Sequence, residues 1–205
     1  MIYLGGMRFP TLLLAAAAWT APLAGQAAVR LSAGATYGSV LIDDGVLSTK
    51  LRLAIAPTVG LGVSLPTGTG PYRIVAEASY GRSALKVIGT NGNTDQDQLA
   101  AVATITTLVF FEGALHGALR WQVGGGAIFY RPTVQQGVFQ NGGTQRWMLA
   151  GGAVWNHKLT ASMDLLVTAR VDAHTFTTDV LQARGYGQSQ SVQRFGLLIG
   201  VSRRL

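Results

Sequence analysis

Residues 51–65 read LRLAIAPTVGLGVSL, and their alternation is the clearest architectural signal in the chain. The odd positions are Leu51, Leu53, Ile55, Pro57, Val59, Leu61, Val63 and Leu65. The even positions from Lys50 are Lys50, Arg52, Ala54, Ala56, Thr58, Gly60, Gly62 and Ser64. Side chains alternate faces along a strand, so one face is wholly apolar and the other small, polar or cationic. A helix would scatter both sets around its circumference. The period is two, and the stretch reads as one β-strand.

The same pattern recurs at 29–37, 72–80, 119–130, 159–172 and from Arg194 to Ser202. In 119–130, Leu119, Trp121, Val123, Gly125, Ala127 and Phe129 oppose Arg120, Gln122, Gly124, Gly126, Ile128 and Tyr130. Segments 99–111 and 146–155 alternate weakly and are assigned from spacing and from Phe110, Phe111, Trp147 and Trp155. About eight strands result. Between them lie 38–49, 66–71, 81–98, 112–118, 131–145, 156–158 and 173–191, long and short in strict alternation. The long connections are rich in Gly, Asn, Asp, Gln and Thr, as solvated loops are.

Composition agrees. Of 205 residues, 48% are hydrophobic and 12% charged, with 27 Gly and no Cys. A globular chain carries roughly 25% charged residues, so an ordinary solvated surface is hard to build here. The mean hydropathy of +0.30 implies an apolar solvent, yet past the N-terminus no run approaches the ~18 apolar residues of a membrane helix. Without cysteine there are no disulfides, thiolate metal sites or cysteine nucleophiles. Residues 7–27, MRFPTLLLAAAAWTAPLAGQA, have the charged start, apolar run and small-residue exit of a secretory signal peptide, with Met7 or Met1 as the start. Cleavage after Ala27 would leave 178 residues and, without Arg8, a net charge of +6 in place of +7.

A closed antiparallel up-and-down barrel over residues 28–205 follows, with short turns on one rim and long loops on the other, as in the bacterial outer membrane. Facing Arg or Lys to lipid would cost roughly 2–4 kcal/mol each at the midplane. Facing the apolar rows to water would expose a contiguous greasy band. The apolar rows therefore belong against lipid and the charged rows inside, where backbone groups pair across closed seams. That puts Arg30, Lys50, Arg52, Arg73, Glu77, Arg120, Asp164, Arg170, Asp172 and Arg194 in one interior ion-pair network with cations in excess. Inward glycines such as Gly60, Gly62, Gly124 and Gly126 suit a narrow interior. Tyr37, Tyr72, Tyr80, Trp121, Phe129, Trp147 and Trp155, near strand ends, are placed as interfacial girdles.

On these features the chain resembles the small outer-membrane barrels of Gram-negative bacteria, of the OmpA-transmembrane-domain and opacity-protein type. The resemblance covers residues 28–205 and implies an integral barrel in the cell outer membrane, inserted by the barrel-assembly machinery. Family members close with a C-terminal pattern of a glycine followed by aromatics. Here Gly200 is in register as the insertion signal, while Arg203 and Leu205 stand where aromatics are expected. The implied partners are outer-membrane lipid, lipopolysaccharide and host or envelope surface components, with a monomeric barrel and no nucleic acid.

Little in the sequence points to chemistry. His116, His157 and His174 have no metal-ligand spacing, so neither a metal nor another cofactor is expected. The glycine clusters at 68–70 and 124–126 lack the helix start of a phosphate loop. Asp172-Ala173-His174-Thr175 reads as an acid, base and hydroxyl, but lacks the His-x-Ser-Asn pattern of the lipid-A deacylase barrels. The expectation is a non-catalytic barrel for envelope integrity, adhesion or loop display. A narrow anion-preferring pore and a lipid-A-modifying enzyme are the alternatives.

Overall fold

The computed structural model describes residues 27–44, 49–68, 70–89, 95–135, 137–183 and 190–205. The signal-peptide reading, with Met7 and Arg8, falls outside these residues. Ten strands are described: β1 (Ala28–Gly38), β2 (Val40–Asp44), β3 (Thr49–Leu53), β4 (Ala56–Pro66), β5 (Arg73–Gly89), β6 (Asp95–His116), β7 (Leu119–Pro132), β8 (Thr144–Lys158), β9 (Met163–Phe176) and β10 (Gln190–Arg204). Eight of them close a barrel in the order β1-β4-β5-β6-β7-β8-β9-β10, every neighbour antiparallel, with β10 returning to β1. β1 pairs with β10 along its whole length, from Ala28 opposite Arg204 to Gly38 opposite Arg194. No edge is left along that seam, which is what an apolar surround requires.

The outer wall is apolar. Leu31, Val59, Leu61, Val63, Ile105, Val109, Val123, Leu149, Leu197 and Ile199 are exposed, with Leu61 at 58%. Arg30, Thr58, Ser64, Thr106, Glu112, Asp164, Arg170, Asp172 and Arg194 are buried on the opposite faces of the same strands. A protein in water would be turned the other way.

The stretch 51–65 is two strands, not one. Leu53 and Thr58 are five positions apart, whereas their partners on β5, Leu85 and Gly81, are four apart. The extra residue is a bulge, and a shift by one residue sends every following side chain to the other face. Leu51 and Leu53 therefore point inward while Val59, Leu61 and Val63 point outward. Alternation read in phase across Ala54 and Ile55 could not reveal this, because both residues are apolar. The β2–β3 hairpin that results lies between β1 and β4 in the chain and extends the wall beyond their pairing, with β3 running along β5 from Leu85 to Gly89.

Other boundaries also moved. Residues 81–98 are mostly strand, since β5 runs to Gly89 and β6 starts at Asp95. Residues 156–158 belong to β8, and the turn lies at 159–162, where Thr160 Oγ1 accepts from the Ser162 and Met163 amides. The β6–β7 connection has shrunk to Gly117 and Ala118, with Gly117 at φ 55°, a glycine at the first central position as in a type II′ hairpin. The long connection after β7 contains a 3-10 turn, Gly137–Phe139, and the one after β9 a short helix α1, Asp179–Ala183.

Candidate functional site: the barrel lumen

Every inward side chain of a closed eight-stranded barrel meets the others in one narrow space, and here the lumen is stratified. Nearest the short-turn rim, which corresponds to the periplasmic side of such barrels, Arg30 on β1 donates to both carboxylate oxygens of Glu112 on β6, at 2.8 and 3.2 Å. The second Nη of Arg30 also reaches Ser64 Oγ at 3.3 Å. Arg120 on β7 donates through Nε to Glu112 Oε1 and through Nη2 to the Pro71 carbonyl. Arg73 stands opposite Glu112 in the β5–β6 register. At the rim itself, Arg204 holds both oxygens of Asp164, at 2.8 and 3.0 Å.

Further in, Arg170 donates to Glu77 at 2.7 Å and lies over the Phe110 ring, 5.7 Å from its centroid. Its Nε is 3.0 Å from Asp172 Oδ1, although no N–H is aimed along that line. Asp172 is thus held by charge and not by an aligned hydrogen bond. Arg194 on β10 is its cross-strand neighbour, also buried. Around these groups Thr36 pairs with Thr58 at 3.0 Å, and Ser79 pairs with Thr106.

Above them the lumen turns apolar. Leu41 and Ile42 of β2, Leu51 and Leu53 of β3, Leu85, Val102, Ile128, Met148, Phe176, Leu181 of α1 and Val192 form one buried cluster, whose lower members Leu108, Phe110 and Val75 reach down beside the Arg170–Glu77 pair. Tyr130 anchors it: its ring meets Phe176 edge-on at 5.2 Å and Phe139 at 6.4 Å, and its hydroxyl shares a hydrogen bond of 2.6 Å with His174 Nε2. A cavity lies just under this cap, lined by Thr36, Ser83, Thr104, Tyr130, Val192 and Arg194 among others.

Eight of the ten residues expected in the lumen lie there or at its short-turn mouth: Arg30, Arg73, Glu77, Arg120, Asp164, Arg170, Asp172 and Arg194. Lys50 and Arg52 do not, which corrects the reading of the sequence. They sit on β3 beyond the bulge, so Lys50 is exposed and pairs at 2.9 Å with exposed Asp43, while inward positions go to Leu51 and Leu53. Glu112, the acid that joins two arginines, is absent from that set. Residues 112–118 read as a turn, and only continuing the inward row Leu108, Phe110, Glu112 by twos would have found it. Arg204 and the Tyr130–His174 pair were likewise not singled out as partners. The apolar cap is a further departure, since the charged rows predict an ion-pair network and say nothing of an apolar layer above it.

The expected girdle aromatics all lie on the outward row. Tyr37, Tyr72, Tyr80, Trp147 and Trp155 are exposed, with Trp147 at 79%, and Trp121 and Phe129 are half-buried. Tyr72 stacks on Phe111 at 5.3 Å and Phe111 packs on Trp121, forming a belt near the short-turn rim. Near the C-terminus, a Cβ on Gly200 would press on the Leu31 carbonyl, and exposed Leu205 donates its amide to the Ala27 carbonyl at 2.9 Å. Of the histidines, His116 ends β6 and His157 stacks on Trp155, while His174 faces the lumen. Among the described residues no group of three or more His, Cys, Asp or Glu could hold a metal ion.

No protein-family model and no curated protein sequence matches this chain. Solved structures do. Neisserial surface protein A superposes with a TM-score of 0.51 at 12% identity, covering 87% of this chain and 97% of its own. The outer-membrane protein OprG of Pseudomonas aeruginosa gives 0.51 at 13%, covering 88% and 96%. The outer-membrane protein AlkL in lipid bilayers gives 0.52 at 16%, covering 92% and 94%. Identities this low speak for the fold, and the outward apolar rows and closed backbone seams speak for the solvent. The chain is a small eight-stranded β-barrel of the outer-membrane type, spanning the bilayer with its strands.

Proposed function

We propose that this barrel is a sealed, non-catalytic element of the outer membrane whose task is carried by its external rim. The observation that carries the reading is the stacking of two different fillings in one lumen. Arginine–carboxylate clusters occupy the periplasmic and middle levels, and the Tyr130-centred apolar cluster caps them. Side chains nearly fill an eight-stranded interior, and an ion crossing here would have to break buried ion pairs and then enter an apolar layer. What remains for interaction is the wall toward the long-loop rim: the β2–β3 hairpin and the extended β5–β6 pair. Single-channel recording of the reconstituted chain tests this. No unitary steps are expected. Anion-selective steps whose preference reverses in Arg170→Glu would replace the reading with a narrow pore.

The catalytic alternative loses support on geometry. Thr175 is exposed on the opposite face of β9 from Asp172 and His174, and His174 Nε2 is engaged by the Tyr130 hydroxyl. A nucleophile needs its base within hydrogen-bond reach, and here the two diverge. Lipid A from cells overproducing the protein is expected to match lipid A from cells producing His174→Ala.

A further inference from the structure

The outer wall carries a second pattern toward the long-loop rim. Tyr80 on β5, Ile105 on β6 and Phe129 on β7 are register neighbours. Two positions further toward that rim, on the same outward row of each strand, lie Arg82, Ala103 and Arg131, again register neighbours. Gly81, Ser83 and Tyr130 are buried, while Arg82 and Arg131 are exposed, so both guanidinium groups leave the barrel wall outward. Two strand spacings of ~4.8 Å hold their backbones roughly 10 Å apart. Ala103 between them has only a methyl group, and the stem of Arg131 lies over Gly143, where a Cβ would come within 3.2 Å of its Cδ. Among the described residues neither arginine side chain has an acidic partner or a hydrogen bond.

Two guanidinium groups without an acidic partner among the described residues, just beyond the Tyr80–Ile105–Phe129 row and on either side of the notch at Ala103, mark a place where charge and hydrocarbon meet. Below the notch the outward row of β6 continues through exposed Ile105, Thr107 and Val109, a mostly apolar track down the wall. Arginine forks match phosphate oxygens in pairs of parallel hydrogen bonds. We propose that Arg82 and Arg131 form an outward-facing site for lipid-borne phosphate, the phosphorylated headgroup of lipopolysaccharide in the outer leaflet, with acyl chains along Ile105 and Val109. Free phosphate would have no use for that track. The site depends on the chain spanning the membrane and not on whether the lumen conducts.

The test uses the full chain refolded into phosphatidylcholine vesicles doped with bis-phosphorylated lipid A, with dephosphorylated lipid A, or with neither plus inorganic phosphate. The protein is extracted in mild detergent and the retained lipid quantified by mass spectrometry. Wild type is expected to retain the bis-phosphorylated lipid selectively. The Arg82→Gln/Arg131→Gln double variant should lose it by on the order of tenfold or more, as two surface cations removed from an anionic headgroup imply. Arg82→Lys/Arg131→Lys should lose less, and Arg203→Gln, exposed at the opposite rim, should lose nothing. Heated and unheated gels confirm that each variant is folded; if the glutamine pair is not, Arg131→Gln alone carries the test with a smaller loss expected. Equal retention by the glutamine variant, equal loss in Arg203→Gln, equal retention of dephosphorylated lipid, or displacement by inorganic phosphate would each overturn the assignment.

Discussion

Arg30 and Glu112 are 82 residues apart in the chain and form a two-pronged ion pair, 2.8 and 3.2 Å, across the floor of the barrel. Glu112 has no exposure at all, and the same carboxylate also receives Arg120. No local motif joins these residues. They meet because β1 and β6 lie across the closed barrel from one another, both with inward residues at that level.

Removing the shared acid should be among the most damaging single changes. Glu112→Leu leaves two guanidinium groups facing each other in the lumen, and breaking a buried pair from one side costs about 3–5 kcal/mol. Urea unfolding in lipid vesicles should show that loss. The Glu112→Leu/Arg30→Met double variant should recover a large part of it, since one stranded charge is then gone. Full additivity of the two single losses would contradict a direct coupling.

The exposed pair Lys50–Asp43 should behave oppositely. Both side chains are about half exposed, at 45% and 51%, and exposed pairs contribute about 0–1 kcal/mol and are screened by salt. Lys50→Ala is expected to leave the unfolding midpoint unchanged in 0.5 M salt, a concentration of roughly the order at which screening is strong. A loss comparable to Glu112→Leu would place Lys50 in the lumen after all.

Depth along the outer wall should be readable in arginine substitutions. Leu61→Arg puts a charge on the outward row near mid-strand and should cost roughly 2–4 kcal/mol in a bilayer, whereas Leu159→Arg, in a turn at the rim, should cost about 0–1 kcal/mol. The difference should disappear in urea-solubilised chain. Equal costs at both sites would mean that the Leu61 row does not touch hydrocarbon.

Neighbouring glycines should differ sharply. A Cβ on Gly152 would collide with the Ala169 carbonyl and lie 3.0 Å from the Arg170 Cα, while one on Gly151 meets nothing nearer than the Gln122 carbonyl at 3.7 Å. Gly151→Ala is expected to refold like wild type, as judged by heat-modifiable gel mobility. Gly152→Ala should refold poorly, since backbone cannot give way as a flexible side chain does. Equal yields would show that the β8–β9 wall relaxes at that point.

The period-two rows, the length alternation of the connections and the near absence of charge from one row were enough to establish a membrane barrel. They are local properties, and the choice between lipid and water acts on each strand separately through which of its rows can be exposed. Within a strand the parity of Arg30, Glu77, Asp164, Arg170, Asp172 and Arg194 was therefore legible before any fold. Three things were not. The bulge at 54–57 flips Lys50 and Arg52 outward and Leu51 and Leu53 inward, and it shows only in the pairing with β5. The partnership of Glu112 with Arg30 and Arg120, and of Tyr130 with His174, exists only because closure brings distant strands to the same level. The apolar cap likewise assembles from strands, the β2–β3 hairpin and α1, none of which announces it alone. Alternation assigns each side chain to a face. Register and closure, which are relations between strands, assign it to a neighbour.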